Sequence, residues 1–109
     1  MKLAIIGSRE RMNIDIIAYI PHNCTEIVSG GARGIDRCAK KAAEVMGLKL
    51  TEFYPDYKRY KKGAPLVRNR EIVEYCDEVL AFWNGTSRGT KYTIDYCATI
   101  GKKYRVIYI

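Results

Sequence analysis

Short apolar runs alternate along this chain with stretches of helical periodicity, and this alternation constrains the fold more than any other feature. Five runs have the length and composition of β-strands: 3–6, 26–28, 48–53, 79–83 and 105–109. Continuous apolar runs such as 3–6 and 79–83 are typical of strands buried on both faces. The apolar–polar alternation of 48–53 is typical of an edge strand.

Four stretches with helical periodicity lie between the strands, at 14–20, 34–46, 65–76 and 90–100. In the first, Asn13 is a candidate N-cap and Pro21 a stop signal. The clearest stretch is 34–46, where five residues fall on one apolar face. These are Ile35, Ala39, Ala42, Ala43 and Met46.

The strand–helix repeat predicts an α/β fold with a single domain spanning residues 1–109. We expect a Rossmann-like three-layer α/β/α sandwich around a five-stranded parallel sheet. Right-handed crossovers and central apolar strands favour the strand order 3-2-1-4-5. The segment 54–64 is the one long irregular connection, which suggests either a functional loop or a solvated basic excursion.

The chain is basic, with 19 Lys and Arg against 12 Asp and Glu, a net charge of +7. This balance favours anionic partners such as nucleotides or nucleic acid. The four cysteines form no C-x-x-C pair and His22 is the only histidine, so we predict no metal site, and we identify no cofactor. No apolar run approaches the roughly 18 residues of a membrane span or the core of a signal peptide. We therefore expect a cytoplasmic protein with no membrane partner.

Three segments at predicted strand ends carry glycine and hydroxyl residues: 7–10, 29–36 and 84–90. In a parallel sheet these ends share one edge, where ligands bind. The second and third segments are glycine-rich turns that lead into helix N-termini, whose free amides hold phosphate. Glycines that only permit tight turns are the alternative, but two such turns at one crevice favour a phosphate site. The candidate ligand-binding residues of these segments are Gly7, Ser8, Arg9, Ser29, Gly30, Gly31, Gly34, Asp36, Gly85, Ser87, Gly89 and Thr90, with Arg33 and Arg88 as further cations.

Other candidates are ambiguous. Asn69 falls on an inward stripe of the third helix with Leu66 and Val73, so it either bonds a neighbouring loop or helps bind a ligand, with Arg68 reaching a phosphate. Trp83 either stacks on a base or lies in the core with its N–H tied to a loop.

Two further groups of charged residues can each be interpreted in two ways. Asp36 lies in a first helical turn, where capping is the simpler role and catalysis or ribose binding the alternative. The run 58–62 (KRYKK), with Tyr54 and Tyr57 before it, suits nucleic acid or a solvated loop.

Three motifs in order, LAIIGSRE, VSGGARGIDRCAKKAAEVMG and VRNREIVEYCDEVLAFWNGTSRGTKYTIDYCATIGKKYRVI, resemble the SLOG superfamily. This Rossmann-like group includes the DNA-processing protein A (DprA/Smf) family and the LOG "lysine decarboxylase-like" family. The resemblance covers almost the whole chain and is greatest to small stand-alone bacterial or phage members. It implies a nucleotide or nucleic-acid-derived ligand. Arg68 and Asn69 match the R-N motif of DNA-processing proteins, which bind single-stranded DNA.

The chain departs from the LOG pattern at the position of a catalytic glutamate, which here is Thr93. Asp95 lies two residues further on, about 200° round the helix, so it does not replace that glutamate. Only Asp36 and Glu10 remain as candidate catalytic carboxylates. Hydrolysis by the LOG mechanism is therefore disfavoured.

The leading hypothesis is a binding module, such as a sensor, for a nucleotide or nucleotide-derived small molecule. Single-stranded nucleic-acid binding is the first alternative, and a nucleotide N-glycoside hydrolase the second. A homodimer would suit so small a domain, but the sequence does not fix the assembly.

Overall fold

The computed structural model describes residues 1–10 and 14–109, which form a parallel sheet with helices on both faces. The strands are β1 (Lys2–Gly7), β2 (Glu26–Ser29), β3 (Lys49–Glu52), β4 (Glu78–Trp83) and β5 (Lys103–Tyr108). The α-helices are α1 (Ile35–Met46), α2 (Tyr57–Tyr60), α3 (Ala64–Tyr75) and α4 (Arg88–Ile100), and short 3-10 turns cover Ile17–Tyr19 and Lys61–Gly63. None of these helices is long and apolar enough to cross a membrane.

The sheet order is β3-β2-β1-β4-β5 and every pairing is parallel, so the predicted Rossmann-like topology is confirmed. β1 lies at the centre, with Leu3 opposite Ile27 of β2 and Glu78 of β4. Because all five strands run the same way, the loops that follow them lie at one edge of the sheet. The topology therefore places the three glycine-containing segments side by side.

Two apolar clusters, one on each face of the sheet, make the fold three-layered. On one face the side chains of Ile5, Ile27 and Phe82 pack against Ile35 of α1. On the other face, the strands pack against Ile72 and Val73 of α3 and Cys97 of α4. The central strands β1 and β4 contribute to both clusters, which explains why their sequences are apolar throughout.

The stretch 14–20 differs from its prediction, because the structure has only a 3-10 turn at Ile17–Tyr19. Asp15 accepts a hydrogen bond from the Ile17 amide through Oδ1 at 3.2 Å. β-Branched isoleucines have low helix propensity, and the backbone is already extended at Ile20 ahead of Pro21. The proposed N-cap Asn13 lies outside the described residues.

The segment 54–64 is more regular than predicted, because it contains α2 and the 3-10 turn Lys61–Gly63. Asp56 starts α2 by accepting a hydrogen bond from the Arg59 amide through Oδ1 at 3.1 Å. At the end of α1, Met46 is exposed rather than buried, since the apolar face of that helix ends at Ala43.

Candidate functional site

A crevice of about 430 Å³ lies at the carboxyl edge of the sheet, between the loops after β1, β2 and β4 and helix α3. Its volume falls within the roughly 300–1,000 Å³ typical of small-molecule sites. The predicted site residues that line it are Gly7, Ser8, Arg9, Glu10, Gly30, Asp36, Arg68, Asn69, Ser87, Gly89 and Thr90. Those that do not line it are Ser29, Gly31, Gly34, Trp83 and Gly85, together with the further candidate cations Arg33 and Arg88.

Close backbone packing accounts for the glycines that join the first two loops. A Cβ at Gly7 would lie 2.6 Å from the Phe82 carbonyl oxygen. A Cβ at Gly34 would lie 2.6 Å from the backbone of Arg9, and the φ of Gly34 is +74°. These glycines are therefore required for packing, whatever ligand the crevice takes.

The N-terminus of α1 has several of its amide donors already satisfied. The Ile35 amide donates to the Ser8 carbonyl at 3.4 Å, and the Ala32 amide donates to Oδ2 of Asp36 at 3.0 Å. Ser29 accepts from the Gly31 amide at 3.3 Å. Because the carboxylate of Asp36 already lies on this turn, the turn is a poorer site for a phosphate than its glycines suggested.

The N-terminus of α4 is more open. Ser87 is its N-cap and accepts a hydrogen bond from the Thr90 amide through Oγ at 3.4 Å, while Asn84 Oδ1 accepts from the Ser87 amide at 2.8 Å. The amides of Arg88 and Gly89, in the first turn, donate to no residue in the described part of the chain. A Cβ at Gly89 would meet no atom within 4 Å, so the space beside the Cα of Gly89 is open.

Ser8 supplies a second unsatisfied group on the same crevice wall. The residue is only 3% exposed, and its Oγ has no hydrogen-bond partner within residues 1–10 and 14–109. Its amide donates to the Phe82 carbonyl at 3.2 Å, which fixes Ser8 beside the loop that leads to α4. Buried hydroxyls normally have partners, so Ser8 Oγ is an exception among the buried side-chain oxygens of the described residues.

Arg68 occupies a position that the sequence analysis assigned differently. One of the two alternatives for this cluster had Arg68 reaching a phosphate, with Leu66 on the buried stripe, but Leu66 is exposed and Arg68 is 5% exposed. Arg68 donates from Nη1 to the Gly30 carbonyl at 2.8 Å and from Nε to Oδ1 of Asn69 at 2.8 Å. Its guanidinium therefore ties α3 to the loop after β2, and Asn69 positions it.

The two crevice carboxylates that could take part in chemistry differ in burial. Asp36 is half-buried, and burial raises its pKa, although the Ala32 amide and the charge of Arg68 oppose that shift. Burial also lowers the pKa of Arg68, against the effect of Asp36. Glu10 is exposed at the rim. Asp36 is thus paired with structural donors rather than free to act on a substrate.

The contacts of Trp83 agree with the alternative in which its N–H is tied to a loop. Its Nε1 donates to the Ser87 carbonyl at 3.0 Å, and its ring lies 5.7 Å from that of Tyr108. Thr93, at the position of the LOG glutamate, lines the crevice and donates from Oγ1 to the Gly89 carbonyl at 2.9 Å. The sequence analysis did not include Thr93 among the binding residues, although its spacing of three from Thr90 on α4 was a usable signal.

No family model, curated protein or solved structure matches this chain. Within the described residues, no group of three or more His, Cys, Asp and Glu side chains could hold a metal ion. Inferences about function therefore rest on the geometry of the crevice.

Proposed function

We propose that the chain binds a nucleotide or nucleotide-derived ligand, with a phosphate at the N-terminus of α4. The observation that carries the proposal is the pairing of two kinds of unsatisfied donor in one crevice. These are the free amide of Gly89 and the buried hydroxyl of Ser8, and the free amide of Arg88 belongs to the same helical turn as Gly89. A phosphate oxygen would accept from the amides directly and from the Ser8 hydroxyl once that side chain turns toward the crevice, and the partial positive charge of the helix end favours an anion.

Cations around the crevice support an anionic ligand. Arg9 is exposed on its rim, and Arg68 lies buried in its wall. The net charge of +7 raises the local concentration of anions at any such site. The resemblance to the SLOG superfamily supports the same class of ligand, and we propose membership of that group on the strength of the three motifs.

Binding is favoured over hydrolysis by the state of the crevice side chains. The hydroxyl of Thr93 is engaged by the Gly89 carbonyl, and the carboxylate of Asp36 accepts from the Ala32 amide. Cleavage of an N-glycosidic bond requires a carboxylate positioned at the reacting carbon. We therefore propose a binding module rather than a glycoside hydrolase.

The variant Gly89→Asp tests the phosphate subsite. Its carboxylate would lie beside the free amides and repel a phosphate, and the open space at Gly89 lets the chain fold. An acidic residue in a first helical turn also favours the helix. We expect the affinity for nucleoside 5′-monophosphates, measured by calorimetric titration, to fall at least tenfold.

Gly89→Ala is the matched control, because it adds a methyl group without charge and should retain most of the affinity. Circular dichroism should show both variants to be folded. Equal affinities of wild type and Gly89→Asp would show that the phosphate does not bind at the N-terminus of α4. If the wild type bound no nucleoside monophosphate, the proposed function would be wrong.

A further inference from the structure

A second groove, of about 280 Å³, adjoins the crevice. The two share Arg9, Gly30, Ala32 and Arg68, so they form one continuous surface. The other residues of this groove come from the loop after β2 and from the segment after β3, and they are Gly31, Arg33, Tyr54, Pro55 and Tyr57. The groove thus adds two aromatic rings and a further guanidinium to the crevice.

The ring of Tyr54 is held by two contacts, although the residue is exposed. Its hydroxyl donates to Oε1 of Glu52 at 2.8 Å, and this bond raises the pKa of Tyr54. Its ring lies directly against Gly31, where an added Cβ would be 2.5 Å from Cε1. Yet the residue is 65% exposed, and Tyr57 beside it is 56% exposed. A ring fixed at two points with an accessible surface is a preorganised platform for a planar ligand group.

We propose that the groove is a second base-binding subsite and that the ligand is a dinucleotide. One nucleotide lies in the crevice with its phosphate at α4, and the second base stacks on Tyr54. This inference rests on the proposed function, since it extends the same ligand beyond the crevice.

The span between the subsites supports two nucleotide units rather than one. α4 follows β4 and Tyr54 follows β3, and these strands are three positions apart in the sheet. At about 4.8 Å per strand, the ends of these two strands lie on the order of 14 Å apart. The crevice volume alone suffices for one nucleotide. Arg9 lines both the crevice and the groove, which places a cation where a linking phosphate would pass, and Arg33 adds a second cation to the groove.

The test compares AMP with 5′-phosphorylated diadenosine (pApA) on wild type, Tyr54→Leu and Tyr54→Phe by calorimetric titration. We expect the wild type to bind pApA about tenfold more tightly than AMP, a gain within the range of one base–aromatic stack. Tyr54→Leu should lose that gain while its affinity for AMP stays unchanged. Tyr54→Phe should keep it, because the ring remains.

Tyr104→Leu is a control. Tyr104 lies on β5, the outermost strand on the side of the sheet away from β3, so this variant should bind both probes like the wild type. Equal affinities for AMP and pApA in the wild type would overturn the second subsite and leave the proposed function standing. A gain that survives in Tyr54→Leu would also overturn it. If neither probe binds the wild type, both proposals fail.

Discussion

A buried hydroxyl without a hydrogen-bond partner costs a folded protein about 1–3 kcal/mol. Ser8 carries such a hydroxyl in the crevice wall. Under the proposed function a ligand would complete this hydrogen bond, so the contributions of the hydroxyl to stability and to binding would have opposite signs.

Replacing Ser8 with alanine should therefore stabilise the protein and weaken its ligand binding. We expect the free energy of unfolding in urea to rise by about 1 kcal/mol and the affinity for AMP to fall several-fold. Ser29→Ala is the control, since the buried Ser29 hydroxyl accepts from the Gly31 amide and its loss should destabilise the fold. A less stable Ser8→Ala protein would show that the hydroxyl has a partner in solution.

Single residues were also where sequence reasoning was least complete. The sequence places Arg68 in a motif but does not reveal that its guanidinium bonds the Gly30 carbonyl, 38 positions away. That contact depends on the packing of α3 on the sheet, which periodicity alone does not specify. Whether the amides of Arg88 and Gly89 lack a hydrogen-bond acceptor likewise depends on which side chains reach them.

At the level of elements, α4 begins with an N-cap that also lines the crevice. Ser87 Oγ accepts from the Thr90 amide at 3.4 Å and lies 3.1 Å from the hydroxyl of Thr90. Ser87→Ala should lower the free energy of unfolding by about 1 kcal/mol, the usual effect of losing a cap.

Ser87→Asp separates the capping role from the binding role. Aspartate caps a helix as well as serine does, so stability measured in urea should be retained. Its charge beside the free amides should weaken AMP binding, in contrast to a neutral cap. If Ser87→Asp bound AMP with the wild-type affinity, the phosphate would not bind at the N-terminus of α4.

The elements themselves were largely predictable from the sequence. Continuous apolar strands and right-handed crossovers predicted the strand order, and the glycines after α1 and α4 and the proline near the start of α3 marked helix ends. The exceptions were 54–64, which contains α2, and 14–20, whose Ile16 and Ile20 flank a 3-10 turn and belong to the same apolar cluster as Ile35 of α1. Apolar spacing does not distinguish such a packed connection from a short helix.

At the scale of the whole molecule, the carboxyl and amino edges of the sheet carry different groups of residues. The carboxyl edge holds the crevice, whereas the amino edge holds a polar cluster around Glu26, the first residue of β2. Glu26 is buried and accepts from the hydroxyls of Tyr75 at 2.6 Å and Thr51 at 2.8 Å. Burial is the largest single influence and opposes its ionisation, but these hydrogen bonds and the charges of Lys49 and Lys2 together outweigh it and hold the pKa of Glu26 below its ordinary value.

Tyr75→Phe should therefore affect stability and leave binding unchanged. A lowered carboxyl pKa stabilises the fold above the ordinary value of 4.5, and that stabilisation is lost as pH falls through the folded pKa. We expect a lower urea midpoint than wild type at pH 7, a difference that shrinks below pH 4.5, and wild-type affinity for AMP. A deficit that grows in acid would contradict the role of the ionised Glu26.

The bond from Trp83 to the Ser87 carbonyl has a practical consequence. Trp83 is the single tryptophan of the chain, and its indole is joined to the residue that begins α4. Indole emission responds to changes in its hydrogen bonding and surroundings, and the carbonyl that accepts from Trp83 belongs to the residue next to Arg88. We therefore expect a ligand at the proposed α4 site to change the emission of Trp83, so that titration of unlabelled protein in a fluorimeter would follow binding directly.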